Sequence, residues 1–195
     1  MLKKRIAVLA VGFLLASGAA KSAAAQIFTP TYMAPRSGGD LGLYLNDGPG
    51  DFSLEGIWRR DLGGYDLGLR GGVASIADDA ALLIGAEVRN PLSVTDVPLE
   101  FAFTAGAQAV VSSRSAAGVQ VGLSAGHTFV PGDFSVTPYI HPRLALLSGF
   151  RDSDLRARVL ADIGFDVAFQ PNLTFRMAFG LGRETADWGI GLAWR

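Results

Sequence analysis

The chain has 195 residues, 17 Lys+Arg against 18 Asp+Glu, and a mean hydropathy of +0.30. It contains no cysteine, which excludes disulfides and thiolate metal sites. Beyond the first 25 residues every basic side chain is an arginine and acidic groups outnumber them, so no basic patch remains to bind nucleic acid.

Residues 1–25 open with Lys3, Lys4 and Arg5, continue as an apolar run from Ile6 to Ala16, and end in small residues at Ala23-Ala24-Ala25. Basic start, short apolar stretch and Ala-x-Ala ending are those of a cleaved secretory signal peptide, with the mature chain beginning near Gln26. The run is short of the roughly 20 residues that a transmembrane helix needs, and no later apolar run is long enough either. An exported, apolar chain without a hydrophobic helix must spread its apolar side chains along alternating strands. About 170 mature residues suit one such domain.

Residues 26–39, broken by Pro30, Pro35 and Gly38-Gly39, show no alternation. They are expected to form a periplasmic lead-in that lines or plugs one end. From residue 40 to 195, strand signals recur between Gly, Asp, Asn and Pro turns. Ten strands are expected at about 40–46, 52–60, 65–76, 80–90, 98–111, 118–130, 134–147, 156–170, 173–183 and 187–194. If the first two pack elsewhere, the count falls to eight.

The two faces of these strands differ. One carries Leu41, Leu43, Leu45, Leu69, Val121, Leu144, Ile163 and Phe165 and their neighbours, without a formal charge except at strand ends such as Arg60. The other holds Glu55, Asp66, Glu87, Glu100, Asp162 and Asp166 with Arg59, Arg70, Arg89, Arg143, Arg158 and Arg176. A charge on the lipid side at mid-bilayer costs roughly 2–4 kcal/mol. The charged face is therefore the lumen of an all-β, closed, antiparallel, up-and-down transmembrane barrel. Closure follows because free sheet edges in hydrocarbon leave amides unpaired, so the tenth strand should pair with the first.

Aromatic positions agree with this topology. Trp58, Tyr65, Phe101, Phe129, Phe134, Phe169, Phe175 and Trp194 fall at one end as an interfacial girdle, and Phe52, Phe150 and Trp188 form a sparser one at the other. His127 is the misfit, outward in this register, and marks a bulge at Gly126 or an interfacial side chain.

Inside, cross-strand register pairs Asp166 with Arg176, Arg70 with Glu87 and Arg143 with Asp162. Arginine suits such pairs because its guanidinium stays charged and forks onto carboxylates. Two readings of the lumen stay open: an ion-paired filling that rigidifies a narrow barrel, or a constriction in a pore for ions or small solutes. Barrels of about eight strands are filled by side chains, which favours the first. A lipid- or peptide-modifying enzyme is weaker still, since His127 and His141 are the mature chain's only histidines and His141 belongs with the lumen network. Asp78-Asp79 and Asp152-x-Asp154 are acidic loop pairs, expected to be solvated rather than metal-bound. No phosphate loop or metal-ligand spacing occurs, and no cofactor is expected.

The last strand, Asp187 to Arg195, alternates Trp188, Ile190, Leu192 and Trp194 with Gly189, Gly191 and Ala193. Gly189, Leu192 and Trp194 resemble the C-terminal assembly signal of bacterial outer-membrane barrels, with Arg195 displacing the aromatic from the final position. With the signal peptide and the alternating strands, residues 40–195 resemble the broad group of small Gram-negative barrels that includes the OmpA membrane domain, OmpX and OmpW. That resemblance implies a bacterial outer-membrane location, outer-membrane lipid and lipopolysaccharide as surroundings, and the barrel-assembly machinery as a partner in biogenesis. It implies no catalytic residues.

Overall fold

Side chains two apart along a strand share a face, so the alternation from Leu41 onward becomes a sheet that is apolar outside and charged inside. The computed structural model describes residues 28–36, 38–76, 79–113, 115–148, 155–182 and 187–195. The signal-peptide segment 1–25 lies outside the described residues, as do Asp78, Phe150 and Asp152 to Asp154 of the loops.

Ten strands form the sheet among the described residues: β1 Asp40–Asn46, β2 Phe52–Asp61, β3 Asp66–Ile76, β4 Asp79–Leu92, β5 Glu100–Val111, β6 Ala116–Gly126, β7 Ser135–Ser148, β8 Leu155–Gln170, β9 Leu173–Leu181 and β10 Trp188–Trp194. Each pairs antiparallel with its sequence neighbour. β10 closes onto β1 with Trp194 opposite Leu41 and Gly189 opposite Asn46. The barrel therefore has ten strands, β1 and β2 included. No helix among the described residues is long and apolar enough to cross a membrane.

Burial alternates with the pleat. Leu41, Leu43 and Leu45 are exposed, whereas Asp40 and Asn46 of the same strand are buried. Leu144 and Val159 are 61% and 76% exposed beside a buried Arg143 and Leu160. In water this arrangement would strand apolar surface outside and ions inside. In a bilayer it satisfies both.

The ladder has two irregularities. Pro138 and Pro142 point outward from β7, and proline cannot donate to a sheet. Beside Pro142 the β6–β7 pairing skips from Gly122–Arg143 to Ala125–Ile140. On β8 the register shifts between Ala168 and Gln170. Gly126 carries no bulge: β6 ends there, and the Phe129–Val136 bridge continues the same register. His127 is half-buried, with its ring edge-on to Phe129 at 4.6 Å.

Candidate functional site: a lumen filled by arginines, carboxylates and the N-terminal strap

The first described residues, 28–36, lie inside the cylinder. Phe28, Thr29, Thr31, Tyr32, Met33 and Ala34 are all at most 2% exposed. Phe28 clusters with Ala116, Ala145, Leu147 and Leu160, at the barrel end remote from the start of β1 and the end of β10. At the other end of this strap Arg36 reaches Asp166 at 3.0 Å, and the Gly38 N–H donates to Asp66 at the start of β3. The strap thus descends the lumen, turns at Gly38 (φ +140°, a region glycine tolerates) and enters β1. Residues 28–36 are not below the barrel but within it.

The wall grips the strap by both its backbone and its side chains. Arg70 Nη2 donates to Pro30 O at 3.0 Å, Arg59 Nη2 to Thr31 O at 2.9 Å and Arg89 Nη1 to Ala34 O at 2.9 Å, while Ser124 donates to Met33 O. The Thr31 N–H and hydroxyl both donate to Asp162 Oδ2, at 3.0 and 2.8 Å. Such bonds discharge the rule that buried backbone groups need partners. Tyr32 stacks on Tyr44 at 4.1 Å and donates to Asn46 at 2.5 Å. Arg143 lies 5.6 Å over the Phe28 ring.

The same arginines are held by wall carboxylates. Arg70 forks onto Glu55 at 3.1 and 2.6 Å and touches Glu87 at 3.3 Å. Arg59 donates to Glu87 at 2.7 Å, Arg89 to Asp66 at 2.6 Å and Arg143 to Asp162 at 2.7 Å. Arg176 of β9 reaches two other strands, meeting Asp166 of β8 at 3.1 Å and Tyr44 and Asp40 of β1 at 2.8 and 2.6 Å. Ion pairs this dry need such multiple hydrogen bonds to offset desolvation.

Of the residues singled out from the sequence, the structure brings together Arg70 with Glu87, Arg143 with Asp162, and Arg176 with Asp166. His141 is 1% exposed, its Nδ1 2.7 Å from Thr31 Oγ1 and its Nε2 2.7 Å from Thr104 Oγ1. Since the single Thr31 hydroxyl proton goes to Asp162, we assign the Nδ1 proton to the contact with Thr31. Both ring nitrogens are then engaged in a closed interior. Glu100 sits lower, taking a bond from Thr128 at 3.3 Å, and Arg158 sits higher, half-buried, donating to Ala157 O.

Sequence reasoning missed Asp40 and Arg36, and it placed the lead-in at one end of the barrel without its depth in the lumen. Asp40 was legible, since it shares its parity with the inward Gly42, Tyr44 and Asn46. The strap has no periodicity to find.

Trp58, Tyr65, Phe129, Phe134, Phe169 and Trp194 are exposed, with Phe101 and Phe175 partly so. Trp58 and Trp194 flank Leu41 on neighbouring strands. In β10, Leu192 faces out and Gly189 in. A Cβ at Gly189 would collide with the Tyr32 hydroxyl and with Asn46, so this glycine makes room for the strap.

No family model matches the sequence, and no characterised protein matches it either. Solved structures that resemble the chain in fold include the following two. One is described as a bacterial polysaccharide outer membrane secretin, 7% identical, with a TM-score of 0.48; the likeness covers 74% of this chain and 56% of that one. This chain thus spans little more than half the length of that protein. The other is described as a KdgM porin, 12% identical, with a TM-score of 0.41, covering 80% of this chain and 98% of that one.

Proposed function

We propose that this chain is a bacterial outer-membrane barrel, exported by a cleaved signal peptide and closed at rest by its own N-terminal strap. Its role on this reading is structural or an interaction role, without catalysis, in the broad manner of the small OmpA-, OmpX- and OmpW-like barrels. The observation that carries the reading is the burial of residues 28–35 inside a wall whose outer face is apolar. Both ends of the closed sheet lie at one rim, which bacterial barrels keep on the periplasmic side. The strap then enters from below and reaches toward the cell surface. Lipid and lipopolysaccharide surround the outer face, and Gly189, Leu192 and Trp194 serve the assembly machinery.

The test is reconstitution. The folded protein should need detergent or lipid to stay in solution, migrate differently on gels before and after boiling, and give no steady conductance in a planar bilayer. A protein that stays monodisperse without detergent, or one that opens steadily as isolated, would overturn it.

A further inference from the structure

We propose that the strap is a displaceable plug, and that the lumen it vacates is a narrow path preferring small cations. The inference rests on the reading of a membrane barrel closed at rest, and deepens it.

Three observations carry it. The first is that the wall does not depend on the strap for its ion pairs. Arg59 keeps Glu87, Arg70 keeps Glu55, Arg89 keeps Asp66, Arg143 keeps Asp162 and Arg176 keeps Asp40. Withdrawal exposes these pairs to water, which hydrates them, and strands no guanidinium against a bare apolar wall. The groups given up are the backbone bonds of residues 30–34, the hydroxyls of Thr29, Thr31 and Tyr32, and the Arg36–Asp166 pair. In the open lumen water takes up these polar partners, while the burial of Phe28, Tyr32 and Met33 is what holds the strap in place at rest.

The second is the tether. The strap joins the barrel through Gly38 and Gly39 at the lower rim, where β1 begins at Asp40. Swinging about Gly38 takes it out along the axis without unpairing any strand.

The third is charge. Six buried wall carboxylates (Asp40, Glu55, Asp66, Glu87, Asp162 and Asp166) face five buried wall guanidiniums. Once the five pairs are made, Asp166 is the carboxylate left over, and the strap's Arg36 neutralises it at 3.0 Å. The lumen is balanced with the plug in and carries an excess negative charge with the plug out. In a narrow path with low-dielectric walls, that excess raises the local cation concentration.

Two experiments decide the matter. A barrel lacking residues 28–36, shown to be folded by its heat-dependent gel shift, is placed in a bilayer under a potassium chloride gradient. Steady openings with a reversal potential displaced toward potassium are expected, and Asp166→Asn in the same background should abolish the displacement. A folded deletion barrel that stays shut, or passes chloride in preference, overturns the proposal. The second uses the full chain and does not require the deletion to fold. The protein has no cysteine, so Met33→Cys, 2% exposed in the strap, introduces one thiol. It should react slowly in the folded protein, severalfold faster with a small cationic methanethiosulfonate than with an anionic one of similar size. A thiol silent for hours in the folded barrel and reactive on unfolding means the plug is permanent. Steady conductance of the untreated full chain would instead sink the closed-at-rest reading itself.

Discussion

Replacing Arg176 by alanine tests whether the lumen network holds the barrel together. Arg176 is 1% exposed and its three donors reach Asp166, Tyr44 and Asp40 across 2.6 to 3.1 Å. Removing one partner of a buried pair typically costs about 3–5 kcal/mol, because the remaining charge is left without compensation. Here both carboxylates keep a second cation: Asp166 retains Arg36 at 3.0 Å, and Asp40 retains Arg59 at 3.4 Å. The lower end, about 3 kcal/mol, is therefore expected. With a urea slope of about 1–3 kcal/mol per molar, the unfolding midpoint should fall by on the order of 1–3 M. Tryptophan fluorescence in lipid vesicles follows the transition through Trp58, Trp188 and Trp194. Asp166→Ala should cost less than Arg176→Ala, since Arg176 keeps Asp40 and Tyr44. The double mutant should reveal coupling of about 0.5–3 kcal/mol. Arg60→Ala, exposed on the outer face, is the control and should stay within about 0.5 kcal/mol. If Arg176→Ala is indistinguishable from that control and the double mutant is additive, the network does not support the fold.

Leu144→Arg puts a charge on the outer face midway along β7 and should destabilise the vesicle-bound barrel by roughly 2–4 kcal/mol, whereas Phe129→Arg near the rim should cost about 0–1 kcal/mol; equal effects in urea titrations would contradict the bilayer placement. Gly189→Val drives methyl groups into Tyr32 and Asn46, so the yield of heat-shifting protein should drop sharply, while Gly132→Ala, with no atom near its Cβ, should leave yield unchanged. Trp194→Ala removes an exposed ring, 41% accessible, from the last strand. Folded protein should fall in cells, while refolding from urea into vesicles stays near normal. A parallel loss in both assays would mean that the ring acts by packing and not by recognition.

The separation of faces was legible in the sequence because each strand carries it alone. A period of two needs no knowledge of neighbours, and a one-residue slip would turn Leu41, Leu43 and Leu144 inward and Arg59, Arg143 and Arg176 outward. Register followed from the same pattern, so Arg176 and Asp166 could be paired across their turn before any coordinates. The aromatic positions, written at strand ends, were equally local.

What the tertiary structure alone decided is the content of the lumen. Residues 28–36 carry no alternation and no regular ladder. Their place is set by Arg59, Arg70, Arg89, Ser124 and Asp162, which converge from five different strands only when the cylinder closes. The count of ten was decided the same way, since β1 is short and is held by β10 from the far end of the chain. Local periodicity determines which way a side chain points. Which distant groups it meets depends on closure, and one strand's sequence does not contain closure.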